Sequence, residues 1–159
     1  MPTLNDVYTK FGETAEAAQL LETQVGNLLI EAAIDTDGEN LRSSQAVAKA
    51  LFEDVDRKTL GQLIQSLRKT KKIPDDLGEN LARALSERNR LNHSFYRQHD
   101  LRRNSDEGRE IMINDLVQIH QCILETYVAI FRLSGIDIEN VDITALPTEH
   151  LQLNPNKKH

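Results

Sequence analysis

At 159 residues and 18.0 kDa the chain is sized for one domain with a real core, and with 39% hydrophobic but only 4% aromatic residues that core must be built from Leu, Ile, Val and Ala. A single cysteine, Cys122, excludes an intrachain disulfide and fits a reducing compartment; no apolar run approaches a membrane span, and no secretory leader is evident at the N-terminus, so a cytoplasmic location is expected. The net charge of −6 argues, taken alone, against a nucleic-acid partner.

In chain order, Leu4, Val7, Phe11, Ala18, Leu21, Val25, Leu28 and Ala32 recur at three- and four-residue steps, with Thr14 filling one position. This predicts one face of a long helix, opening near Asn5 and ending before Asp37-Gly38, close enough to a heptad repeat to pair with another helix. Ser43 or Ser44 is expected to cap a short helix through about Phe52, and Asp56 to cap the next, with Leu60, Ile64 and Leu67 inward. Pro74-Asp75-Asp76 opens a fourth helix, with proline in the first turn and acids at the positive end of the dipole. Its apolar positions are Leu77, Leu81, Ala84, Leu85, Leu91 and Phe95. Ser105-Asp106-Glu107 opens a fifth, with Ile111, Leu116, Ile119, Ile123, Tyr127 and Ile130 inward and Gly135 as its stop. The expected architecture is an all-α bundle of four to five helices over residues 1–134, followed by an irregular C-terminal tail, 135–159. Within it Cys122 and His120 read as packing residues, and His150 and His159 fall in the tail.

The charge is unevenly distributed. Residues 57–72 carry Arg57, Lys58, Arg68, Lys69, Lys71 and Lys72 and no acid. Residues 83–103 carry six arginines (Arg83, Arg88, Arg90, Arg97, Arg102, Arg103) against Glu87 and Asp100. Such segregation is what a polyanion-binding face needs, and also what two ordinary solvated helix faces show.

The second basic region contains the chain's densest chemistry, Glu87-Arg88-Asn89-Arg90-Leu91-Asn92-His93-Ser94-Phe95-Tyr96. An acid/base group beside fixed positive charge is what cleavage of a phosphodiester requires. On a helix, Arg88 and Asn92 lie one turn apart, as do Asn89 and His93. Arg88 and His93 are about 140° apart around the axis, so they share a ligand only if the helix loosens. Asn89 could hydrogen-bond His93 and fix its tautomer. Arg97 and His99 extend either an RNA-contacting edge or a solvated helix end. Tyr96 has the chemistry to stack on a base, or to pack in the interior or an interface. Arg90, Arg102 and Arg103 are further candidates for phosphate contact.

Arg88-Asn89-Arg90-Leu91-Asn92-His93 resembles the Arg-polar-x-x-x-His signature of the HEPN superfamily. The flanking Ala84-Leu85, Glu87, Leu91, Phe95-Tyr96-Arg97 and Glu107-Gly108-Arg109 are similar to a group of bacterial HEPN-like proteins, the resemblance covering about residues 77–130. It implies a helical bundle that homodimerises, with two copies of the motif meeting across the interface. It implies a metal-independent endoribonuclease without cofactor, of the kind found in toxin–antitoxin, defence or stress-response systems, with RNA as substrate and a cognate antitoxin or regulatory protein as partner. His93 would be the acid/base, Arg88 would stabilise the charge growing on the phosphate, and Asn89 would position one of them. The 2′-hydroxyl would be the nucleophile, leaving a 2′,3′-cyclic phosphate. Some members carry a tyrosine two residues after the histidine as a modification target; here that position is Phe95, so that regulation does not transfer. Other members serve as non-catalytic dimerisation or partner-binding modules; here the Leu4–Ala32 face would be the docking surface.

The sequence offers little else. It has no His-x-x-x-His pair, no phosphate-cradling glycine loop and no Gly-x-Ser-x-Gly elbow. No metal site is expected.

Overall fold

The computed structural model describes residues 1–70 and 73–134. Among these there is no strand; six α-helices and one 3-10 turn form a bundle. The helices are α1 (Leu4–Ser43), α2 (Gln45–Arg57), α3 (Leu60–Thr70), α4 (Asp75–His93), α5 (Phe95–His99) and α6 (Asp106–Leu133), with the 3-10 turn (Asp100–Asn104) between the last two. The tail reading, with Gly135, His150 and His159, and the Lys71-Lys72 part of the first basic segment lie outside the described residues.

Local chemistry sets the helix starts. α1 begins one residue before Asn5, because Thr3 and Asp6 form a capping box: Thr3 Oγ1 accepts from the Asp6 N–H at 3.2 Å, and the Asp6 carboxylate accepts from the Thr3 N–H at 2.7 Å. Those bonds from Thr3 hold the Asp6 carboxyl below its ordinary value. The first helical stretch breaks at Asp37, as the sequence leads one to expect, and a second stretch continues α1 across the kink. Asp37 leaves helical geometry (φ −144°, ψ 39°), but Asn40 Nδ2 donates to its carboxylate at 3.1 Å and the helix resumes to Ser43. Ser44, one of the two expected caps, opens α2, which runs past Phe52 to Arg57. Asp56 therefore lies inside α2 rather than capping α3. That start belongs to Thr59, whose N–H donates to Gln62 Oε1 at 2.9 Å and whose hydroxyl accepts from the Gln62 N–H at 3.4 Å. Pro74 precedes α4, and Ser105 caps α6 by accepting from the Gly108 N–H at 3.1 Å.

The core is aliphatic. Val7, Ala18, Leu21, Val25 and Leu28 of α1 are buried with Leu60, Leu63, Ile64 and Leu67 of α3, Leu77, Leu81, Ala84 and Leu91 of α4, and Leu116, Ile119, Ile123 and Ile130 of α6. Each buried Val, Leu or Ile among them contributes about 1.5–3 kcal/mol of transfer free energy. On α6, Ile111 faces out and Met112 faces in, one residue off the expected phase; Tyr127 is half-buried against Phe131. The heptad-like face of α1 is the inner face of this bundle: Leu21 and Val25 are fully buried by the chain's own helices. It is not an open docking surface.

Two ties give the topology. Arg109 Nε donates to the Pro2 carbonyl at 2.8 Å and Lys10 Nζ donates to His120 Nδ1 at 2.7 Å, so α1 and α6 run side by side in the same direction. Arg90 meets Asp115, and Thr126 Oγ1 donates to the Asn80 carbonyl at 3.4 Å, so α4 runs antiparallel to α6. Gly26 admits α2 to α1: a Cβ there would meet Val55 Cγ1 at 3.0 Å.

Candidate functional site

The site region is the end of α4, the short α5 and the 3-10 turn. α4 stays helical through His93 and breaks at Ser94 (φ −133°, ψ −16°), whose N–H still donates to the Arg90 carbonyl at 2.9 Å. The break turns Phe95 into the core, where its ring meets Phe11 at 5.7 Å and His99 at 4.5 Å between centroids. Tyr96 and Arg97 are left at the surface. Asp100 then takes a positive φ of 40°, a costly conformation for a residue with a side chain, as the chain passes into the 3-10 turn.

Because α4 is regular to its last residue, Arg88 and His93 project into different sectors of one helix. Arg88 lies against α1, donating to Glu22 Oε2 at 3.4 Å and to Asn89 Oδ1 at 3.1 Å. Asn89 therefore serves Arg88 and makes no bond to the His93 ring. His93 is exposed, and no described residue hydrogen-bonds its imidazole; its carbonyl accepts from Arg97 Nη2 at 3.2 Å.

Arg90, expected at an RNA-binding face, is partly buried and engaged by two carboxylates. Its guanidinium makes a two-pronged pair with Asp115 (2.7 and 2.8 Å), a second with Glu87 (2.7 and 3.2 Å), and a bond to Gln98 Oε1 at 3.2 Å. Asp115, aided less strongly by His99, holds this network together. Its hydrogen bond from Arg90 keeps the Asp115 carboxyl below the ordinary range, against the opposing effect of burial. The same pairing raises the Arg90 guanidinium further above its already high value.

His99 is the residue sequence reading placed least well. Neither an RNA edge nor a solvated helix end, it is only 4% exposed. Its Nε2 lies 2.7 Å from Asp115 Oδ2, and Arg102 Nη1 lies 3.1 Å from its Nδ1. Arginine can only donate, so Nδ1 accepts and the ring proton sits on Nε2, donated to Asp115. The sequence signal for this was slight: one acid, Asp115, beside the apolar stripe of α6.

The arginines thus divide. Arg88, Arg90 and Arg109 have carboxylate partners: Glu22, then Glu87 with Asp115, then Asp106. Arg97, Arg102 and Arg103 are held only by neutral acceptors, the His93 carbonyl, His99 Nδ1 and the Tyr8 hydroxyl. Their positive charge is uncompensated by these contacts, and of the three Arg97 is the one bonded to His93, at its carbonyl. Arg109 also straps the turn by donating to the Arg103 carbonyl at 3.0 Å. Gly108 is needed there, because a Cβ would collide with the Arg102 carbonyl.

Other candidates are quiet. Cys122 is half-buried, its thiol pushed up chiefly by burial, which makes it a poor nucleophile. Burial, with Lys10 beside it, pushes the His120 imidazole down. Among the described residues no group of three or more His, Cys, Asp or Glu could hold a metal, and no helix is long and apolar enough to cross a membrane. Comparison with protein-family models, curated proteins and solved structures finds no match to this chain.

Proposed function

We propose that the protein is a cytoplasmic, metal-independent endoribonuclease of the HEPN type, working as a homodimer. The observation that carries this reading is the exposed His93 ring, which no described residue engages, on a residue whose carbonyl accepts from Arg97, an arginine with no carboxylate partner. His93 acts as acid/base on the ribose 2′-hydroxyl and the leaving oxygen. Attack of that hydroxyl on the phosphorus breaks the chain and leaves a 2′,3′-cyclic phosphate. Arg88, steadied by Asn89, stabilises the extra negative charge of the transition state.

The angular separation of Arg88 and His93 gives the dimer a chemical purpose. One copy offers its cation and its acid/base in different directions, so a complete site takes Arg88 from one copy and His93 from its partner. A toxin or stress-response role, and a cognate inhibitor, follow from the resemblance alone. The competing reading, a non-catalytic module docking through Leu4–Ala32, loses its motive because that face lies inside the bundle.

The test is incubation of wild type and His93→Ala with mixed RNA in EDTA, followed by end-group analysis. Cleavage by wild type, cyclic phosphate ends, and a loss of about 10²–10⁴-fold in the variant are expected. Mixing inactive Arg88→Ala with inactive His93→Ala should restore about a quarter of wild-type activity, since half the dimers are mixed and each holds one intact site. Undiminished cleavage by His93→Ala would remove the assignment. Failure of the mixture to recover would remove the shared site.

A further inference from the structure

Three side chains from three separate elements meet beside the α4–α5 break: Tyr8 of α1, Tyr96 of α5 and Arg103 of the 3-10 turn. Arg103 Nη2 donates to the Tyr8 hydroxyl at 2.9 Å. The Tyr96 phenol is pushed up by burial foremost, with Tyr8 adding to the rise and Arg103 opposing it, so all three share one electrostatic neighbourhood.

The aromatic geometry is set from below. The Tyr96 ring rests on Phe11 at 5.2 Å and meets Phe95 edge-on at 5.3 Å, yet 38% of the residue is exposed. Tyr8 is 45% exposed. The Tyr96 ring is anchored on one side and open on the other, and Tyr8 is held at its hydroxyl by Arg103. Arg103 spends one donor on a neutral phenol and retains the rest of its five-donor fork without a carboxylate partner. Arg90 and Arg109, by contrast, are paired with acids.

We propose that Tyr8, Tyr96 and Arg103 form a nucleotide subsite for single-stranded nucleic acid, in which bases stack on the tyrosine rings and Arg103 holds a backbone phosphate. Rigid aromatic faces beside unpaired guanidinium groups are the recurring means of gripping a single strand, because stacking needs base faces that a duplex hides. Tyr8 extends the surface onto α1, beyond the residues that the basic segment itself supplies. Arg97, which follows Tyr96 in the chain, donates to the His93 carbonyl and so links this segment to the histidine. The inference rests on the ribonuclease reading for its purpose, since it supplies a path toward His93, but binding here does not require cleavage.

The test uses a fluorescent 2′-O-methyl oligoribonucleotide, which lacks the nucleophilic hydroxyl, as a single strand and annealed to its complement. Binding is read by anisotropy in EDTA at low salt. The chain has no tryptophan and three tyrosines, so quenching of tyrosine emission gives a second readout centred on Tyr8 and Tyr96. The single strand should bind at least about tenfold tighter than the duplex, and Tyr8→Ala and Tyr96→Leu should each weaken it about tenfold. Arg103→Ala should reduce the slope of log affinity against log salt by about 0.7. Tyr8→Phe should keep the stack. Variants that melt as wild type and bind as wild type would overturn the subsite, as would equal affinity for the duplex. Absence of binding, with self-association that Tyr8→Ala abolishes, would reassign the cluster to a protein contact. Binding of the 2′-O-methyl strand without cleavage of ordinary RNA would keep the subsite and remove the nuclease. Cleavage that ignores Tyr8, Tyr96 and Arg103 would do the reverse.

Discussion

Arg90 and Arg97 lie seven residues apart in one basic run and have opposite fates. Arg90 is enclosed by Glu87, Asp115 and Gln98, with buried His99 completing the group. Arg97 touches one carbonyl and solvent, next to the open ring of His93. The first region is satisfied and holds α4, α5 and α6 together. The second region is unsatisfied and faces outward, where a polyanion would find it. Counting arginines could not separate them; their partners do.

The widest separation between the two regions should come from Asp115→Ala and His93→Ala. Removing Asp115 takes the two-pronged partner from Arg90 and the acceptor from His99, both on the inner side. A loss of about 3 kcal/mol is expected, from leaving the buried His99 donor unpaired and taking the α6 carboxylate from Arg90, which keeps Glu87 and Gln98. For a domain of this size that is roughly 10 °C in melting temperature. His93→Ala removes an exposed ring and should shift stability by no more than about 0.5 kcal/mol while abolishing cleavage. Equal melting temperatures for the two variants would erase the distinction between the regions.

Much of the bundle was legible because its signals are local. α4 and α6 follow from Pro74-Asp75-Asp76 and Ser105-Asp106-Glu107, where composition and capping point the same way. The break at Asp37 was legible from Asp-Gly, but the second helical stretch to Ser43 was not, since Asp-Gly signals a stop and not a kink that Asn40 bridges to Asp37. Asp56 lost the α3 cap to Thr59, which has Gln62 three residues on to complete a box. At the site, the sequence singles out the run that holds His93 and Arg90 but does not show which of the two has partners. His93 needs no partner to be where it is. Arg90 is defined by Asp115, 25 residues away, and by a helix crossing that periodicity does not encode. Tyr8 was overlooked for the same reason: its role rests on Arg103, 95 residues later.

The two regions also depend on one glycine to different degrees. Gly108 lies under the Arg102 carbonyl at the start of α6, so Gly108→Ala forces the 3-10 turn outward and should cost about 2 kcal/mol. The same shift moves Arg102 and Arg103 and should weaken single-strand binding. Gly12→Ala is the opposite case: the position is in the interior of α1 with open space around a Cβ, so about 0.5–1 kcal/mol of added stability is expected. Thermal melts of the pair should move in opposite directions. A destabilising Gly12→Ala would mean that space is occupied in solution, as by a second copy.

The smallest expected effect is acid dependence, and it isolates the inner region alone. Asp115 has its carboxyl held below the ordinary 3.8, first by the Arg90 hydrogen bond and then, against burial, by the bond to His99. A carboxyl lowered on folding binds more protons when unfolded, so its contribution is complete above 3.8 and disappears as pH falls through the lower folded value. Asp115→Asn cannot titrate. The stability gap between wild type and Asp115→Asn, read by denaturant melts, should therefore narrow as the solution is acidified below about 4. Exposed carboxylates elsewhere titrate in both proteins and cancel in that difference, including Asp6 with its own lowered carboxyl. A gap that persists unchanged into strong acid would show that Asp115 holds Arg90 and His99 by shape rather than by charge, and the charge-based contrast between the two regions would fail.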